Sequence, residues 1–123
     1  QALELIPDGY FVYYLDDDDE LVDQNWIKTI IDTNVDVLIG RFKLGKTHNH
    51  KIIGARLIRG EIGGSCIAIR SEIAREIKWP SRSAGDFFFI TRIVEKYKPV
   101  FVKIVAGKVQ KDLQHSWGVR NTY

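Results

Sequence analysis

The chain has 123 residues, 45% of them hydrophobic and 28% charged, with a formal net charge of +2. That is long enough for one domain with its own core, and too nearly neutral for bulk charge to argue for nucleic acid or an anionic membrane. A single cysteine, Cys66, excludes an intrachain disulfide and a cysteine-built zinc site, and no apolar run approaches the ~18 residues a membrane span needs. No signal-peptide pattern is present, so a cytoplasmic protein is expected.

Gln1 to Ile6 reads as the tail of a helix, and the chain opens on Gln, so it reads as a piece of something longer. Asp8-Gly9 is a turn. Tyr10 to Leu15 is aromatic and β-branched, the pattern of a buried strand. Four aspartates, Asp16 to Asp19, follow at once. Asp23 is placed to cap a helix over Gln24–Thr33, with Trp26, Ile27, Ile30 and Ile31 on one face. Val35 to Leu44 reads as a strand. The loop behind it holds His48 and His50, whose spacing suits either a shared metal or an exposed loop. Ile52 to Arg59 is a short strand or irregular. Gly63-Gly64 is a tight turn into a strand, Ser65 to Arg70, in which Cys66 is a buried structural thiol. Ser71 caps a short helix to about Ile77. Pro80 stops helix continuation after Trp79, Asp86 opens a helix to about Tyr97, and Val100 to Val105 forms a further strand. Alternating strands and helices give an α/β class, a single domain over residues 1–123 with a mixed sheet flanked by helices. Such sheets bind ligands beyond the carboxyl ends of their strands, where the aspartate run lies.

Four consecutive carboxylates repel one another. Either they are a solvated loop that favours the next helix N-terminus, or a hard divalent cation offsets the repulsion. Lysines gather in the last quarter of the chain, Lys103, Lys108 and Lys111 among them. If the two ends meet, they would bracket a metal and a phosphate.

Leu15-Asp16-Asp17-Asp18-Asp19 after a strand, Gly63-Gly64-Ser65-Cys66 opening another, Gly85-Asp86 opening a helix after Trp79-Pro80, and His115 near the end stand in a fixed order. That order resembles the catalytic half of family 2 glycosyltransferases of the GT-A fold, from Gln1 to His115. The resemblance implies a partial GT-A arrangement and transfer of a sugar from a nucleoside-diphosphate donor to a glycan, lipid or protein acceptor, with Mn²⁺ or Mg²⁺ and with inversion. By the same resemblance, Asp16 and Asp17 face the nucleotide sugar. Asp18, Asp19 and His115 hold the metal. Asp86 is the general base. Apart from the resemblance, Gly63 and Gly64 fit either close approach of the donor sugar or a plain hairpin turn, and Trp79 either stacks on a sugar face at the acceptor or packs at the domain boundary. Asp86 also fits a plain helix cap, and both roles can hold together. Family members begin with a nucleotide-binding strand and two more strands that this chain lacks, so the nucleotide-binding half is expected to be missing. On that reading the sheet has one exposed, apolar side, and a placement of Tyr10–Leu15 at an exposed edge, or in a helix, would sink the assignment.

Two other enzyme classes fit less well. Nucleotidyltransferases place Gly-Ser ahead of their aspartates, whereas Gly64-Ser65 follows them. Haloacid-dehalogenase phosphatases continue the aspartate pair with Thr or Val, whereas Glu20-Leu21 follows here. A catalytically incompetent domain of the same fold, binding carbohydrate or metal, is the non-enzymatic alternative.

Overall fold

The computed structural model describes residues 2–17, 19–45, 49–78 and 85–109. A 3-10 turn, Ala2–Leu5, leads into strand β1, Phe11–Tyr13. Strand β2, Asp19–Leu21, follows the acidic run, then helix α1, Asn25–Thr33, and strand β3, Val37–Lys43. Strand β4 is the pair Ile52–Ile53; a 3-10 turn, Gly64–Cys66, opens strand β5, Ile67–Arg70. Helices α2, Ser71–Glu76, and α3, Gly85–Lys96, precede the longest strand, β6, Val100–Val109.

The strands form one sheet in the order β1-β5-β3-β6-β2, with β4 paired to β3. β5 is antiparallel to both β1 and β3, and β3 is parallel to β6. It follows that β1, β3 and β6 run the same way. Their carboxyl ends and the start of β5 share one end of the sheet. The class is therefore α/β with a mixed sheet, as the alternation of patterns implied.

Strand alternation distributes the core. Val37 and Ile39 of β3, with Ile67 and Ile69 of β5, face Ile73, Ala74, Phe89, Ile90 and Ile93 of α2 and α3. Leu38, Ala68 and Ala106 point the other way, onto Trp26 and Ile30 of α1. Gly40 makes that second layer possible: a Cβ there would lie 2.5 Å from the Trp26 ring. α1 ends at Asn34, in the left-handed region at φ 53°, whose N–H bonds Ile30 O. Ile27 and Ile31, expected in the buried stripe, are 43% and 60% exposed.

Several boundaries move. β1 is half the length expected and half-buried, and it occupies an edge of the sheet where a buried strand was expected. Tyr10 is 60% exposed, and an apolar groove beside β1 is lined by Tyr10, Phe11, Tyr13, Ile27, Ile30 and Ile31. The edge position is the placement that the GT-A expectation named as sinking it, and the α/β class with a mixed sheet is what remains of that expectation. Ser71 is the first helical residue and not a cap; its hydroxyl donates to Pro7 O at 2.6 Å. Gln24, not Asp23, occupies the N-cap of α1; Asp23 stands one residue earlier and accepts from Asn25 N–H at 2.8 Å. β6 continues to Val109, past the Val105 expected, because β2 pairs with its far end.

That pairing bends the sheet. β1 and β2 lie at opposite edges, four strand spacings apart, which is ~19 Å across a flat sheet. From Tyr13 to Asp16 the chain reaches at most ~10 Å, and a hydrogen-bonded turn from Asp16 to Asp19 adds no more than ~7 Å. The connection is too short for a flat sheet, so the sheet curls.

Candidate functional site

The acidic segment is a tight turn and not a free loop. Asp19 N–H donates to Asp16 O at 3.0 Å, and Asp16 N–H donates to an Asp19 carboxylate oxygen at 3.1 Å. Asp16 and Asp17 are exposed, while Asp19 is half-buried as the first residue of β2. The sequence reading missed β2, which has only three residues, Asp-Glu-Leu, none of them strong strand formers. Its register sets Asp19 opposite Val109 and Glu20 opposite Lys108, with a Glu20–Lys108 ion pair at 3.9 Å. The acidic start of the chain and its basic last quarter therefore do meet.

The turn from Gly63 to Cys66 sits at the same end of the sheet. Cys66 N–H bonds Gly63 O at 3.0 Å. Tyr13, the last residue of β1, donates its hydroxyl to Ser65 O at 2.5 Å, tying the aspartate-bearing strand to this turn. Asp86 closes the group from the α3 side. A Cβ on Gly63 would lie 3.2 Å from Asp86 Oδ2 and 3.5 Å from Ile53 Cδ1, so a glycine here leaves room for the carboxylate. Gly63 has extended backbone, φ −145°; its value is lack of bulk rather than left-handed freedom.

Asp86 is half-buried in the first turn of α3, and its Oδ1 accepts the Phe87 N–H at 2.8 Å. Gly85 is already helical, so Asp86 stands one step inside the helix rather than at the cap.

Electrostatics link the two ends of this group. Burial pushes the Cys66 thiol up to about 12; the Gly63 backbone N–H pulls it back in part, and the Asp86 carboxylate raises it further. Burial also raises Tyr13, helped by Cys66 and by Asp19. Asp19, Tyr13, Cys66 and Asp86 thus form a continuous series across the end of the sheet. Tyr13 and Cys66 had no functional reading in the sequence; the tyrosine is one of six residues in an apolar run and nothing local distinguishes it.

Asp18, Trp79, His115 and His48 lie outside the described residues. Among the described residues, no three His, Cys, Asp or Glu side chains are gathered as a metal centre. The donor chemistry of the turn nonetheless suits a hard cation. A carboxylate that accepts one backbone N–H keeps lone pairs for a metal, and every side chain in the run offers oxygen. No described helix is long and apolar enough to cross a membrane. No family model and no curated protein matches the chain.

Proposed function

We propose that this chain carries the metal- and acceptor-binding part of a GT-A-type glycosyltransferase, which moves a sugar from a nucleoside diphosphate to an acceptor hydroxyl with inversion. The observation that carries the reading is that two carboxylate groups stand at the same end of the sheet. The Asp16–Asp19 turn leaves β1 there, and Asp86 abuts the Gly63–Cys66 turn that Tyr13 grips. β1 lies at an exposed edge, the placement named as sinking the GT-A strand order, so the proposal rests on the carboxylate groups and their order and not on the strand order.

Asp18 and Asp19, with His115, would hold Mn²⁺ or Mg²⁺, and Asp16 and Asp17 would face the nucleotide sugar. When bound, the cation neutralises charge developing on the leaving diphosphate. Asp86 accepts the proton of the acceptor hydroxyl as its oxygen attacks the anomeric carbon. Gly63 and Gly64 leave space for the donor sugar against the sheet, and Trp79 would line the acceptor. A single base with no adjacent nucleophile implies one displacement and an inverted product.

The test is a panel of nucleoside-diphosphate sugars offered with Mn²⁺ and hydroxyl acceptors, read by release of nucleoside diphosphate and by the anomeric coupling of the product. Transfer with inversion is the expected result. Transfer with retention, or no transfer to any acceptor while donor and metal bind, would overturn the assignment in favour of a binding domain.

A further inference from the structure

Three arginines on the described residues are half-buried, and two are fully engaged. Arg70 donates to Gly9 O, Asn34 O and Asn34 Oδ1, pairs with Asp36 and lies over the Phe11 ring at 4.4 Å. Arg75 donates to Leu3 O and Ile6 O and pairs with Asp8. Arg41 is the exception. Its Nε is shut off from solvent and has no hydrogen-bond partner among the described residues. Leaving such a donor unpaired in the interior is costly, and an acceptor that reached it as the surrounding side chains gave way would relieve that cost.

Arg41 lies where the proposed substrate must be. It stands near the carboxyl end of β3, opposite Val105 of β6, with a register irregularity on either side. Bulges of this kind re-aim a side chain and recur beside active sites. Phe42 and Lys43, the next two residues, pair with Gly107 and Lys108 of β6, which pair in turn with Leu21 and Glu20 of β2. Gly54 packs against this stretch: a Cβ there would lie 3.0 Å from Arg41 Cα and 3.1 Å from Cys66 Sγ. Arg41 is thus two strands from β2, which follows the acidic turn, and its Cα lies across Gly54 from Cys66.

We infer that Arg41 is the oxyanion-binding residue of this site and holds a phosphoryl oxygen of the donor diphosphate. This deepens the glycosyltransferase reading and rests on it for the source of the anion. The chemistry is complementary. An acidic turn alone repels a diphosphate, and a guanidinium presents a planar fork of donors that matches phosphate oxygens. A carboxylate-bearing acceptor would satisfy the same donor, so the test separates the two.

The probe is inorganic pyrophosphate without divalent metal, titrated by calorimetry into the intact protein, with inorganic phosphate and acetate in parallel. Pyrophosphate should bind, and Arg41→Gln should weaken it by about ten- to a hundredfold, the usual worth of a charge-assisted hydrogen bond. Arg41→Lys should fall between, because it keeps the charge and loses the fork. In the wild-type protein the Arg41 Nε–H resonance should shift on adding pyrophosphate, a readout that survives if a variant fails to fold. An unshifted Nε–H resonance, or equal pyrophosphate affinity in Arg41→Gln, would overturn the inference. Acetate binding as tightly as pyrophosphate would overturn the phosphoryl assignment. Because metal and sugar are absent, these outcomes are independent of whether transfer activity is found.

Discussion

The general-base role proposed for Asp86 can be tested with one substitution, because the residue stands half-buried in the first turn of α3 beside the Gly63–Cys66 turn. Asp86→Asn keeps the shape and the Phe87 N–H contact but cannot accept a proton. Donor binding should be nearly unchanged, while turnover falls by about 10² to 10⁴. Steady-state kinetics on the variant check this, and near-wild-type turnover would leave Asp86 as a helix residue only. Cys66 makes the opposite case, of a chemically capable group kept idle. With its thiol pushed up to about 12 by burial, it is neutral at pH 8, where an ordinary thiol is partly ionised. A thiol-reactive dye at pH 8 should label it at least tenfold more slowly in the native protein than in denaturant. Equal rates would mean that the turn opens readily.

At the scale of elements, one of the two shortest strands on the sheet's main path bounds the acidic turn. β2 has three residues and one neighbour, yet it anchors the far side of the acidic turn. Its seat on β6 depends on Gly107, where a Cβ would lie 2.4 Å from Glu20 O and 2.6 Å from the Phe42 ring. Gly107→Ala should therefore force β2 away rather than merely crowd a side chain. Thermal denaturation should show a loss of about 1–3 kcal/mol, the usual cost of overpacking, and binding of metal with diphosphate should weaken as well. A variant that loses stability but keeps full ligand affinity would show that β2 does not position the turn. Sequence periodicity reached α1, β3, β5 and α3 within a few residues because their apolar positions repeat locally. It could not reach β2, whose only reason to be a strand is a partner some ninety residues away, an association no local propensity encodes. The edge position of β1 was hidden for the same reason. Six apolar residues announce a strand, but whether a neighbour lies on its other side is not written in them. Asp86 and the aspartates were legible as candidates from their residue types and order, and the structure places Asp16, Asp17, Asp19 and Asp86 at one end of the sheet. Arg41 left only a faint signal, a cation inside a strand-like run, which reads as ordinary until its donor is found without a partner.

Across the whole molecule, helices α2 and α3 are clamped by a surface cluster. Lys96 donates to Glu76 Oε2, and Tyr97 donates its hydroxyl to Glu76 Oε1 at 2.6 Å. The hydrogen bonds from Lys96 and Tyr97 hold the Glu76 carboxyl below its ordinary value, and the Glu76 contact raises Lys96. The signs differ. Stabilisation through Glu76 is present above the ordinary carboxylate pKa and is lost as pH falls through the lowered one. Stabilisation through Lys96 is present below the ordinary lysine pKa and is lost as pH rises through the raised one. Stability should thus hold a plateau through neutral pH and decline at both ends. Glu76→Gln should flatten both declines, because it removes the partner common to each. Urea midpoints from pH 3 to 11 check this, and an unaltered profile would mean that the exposed cluster is too well screened to matter.

The short span between β1 and β2 has a mechanical consequence. A connection that can join opposite edges only while the sheet is rolled acts as a drawstring, and whatever shortens the string tightens the roll. A ligand that grips the Asp16–Asp19 turn therefore reaches both margins of the sheet at once, including backbone it never touches. On adding Mn²⁺ with a nucleoside diphosphate, amide hydrogen exchange should slow together in β1 and in the β2 segment of β6, Gly107 to Val109, while α2 stays unchanged. Protection confined to the turn itself would mean that the string is slack. Protection at both margins would make the degree of rolling a variable of the protein, set by occupancy at one point on its rim.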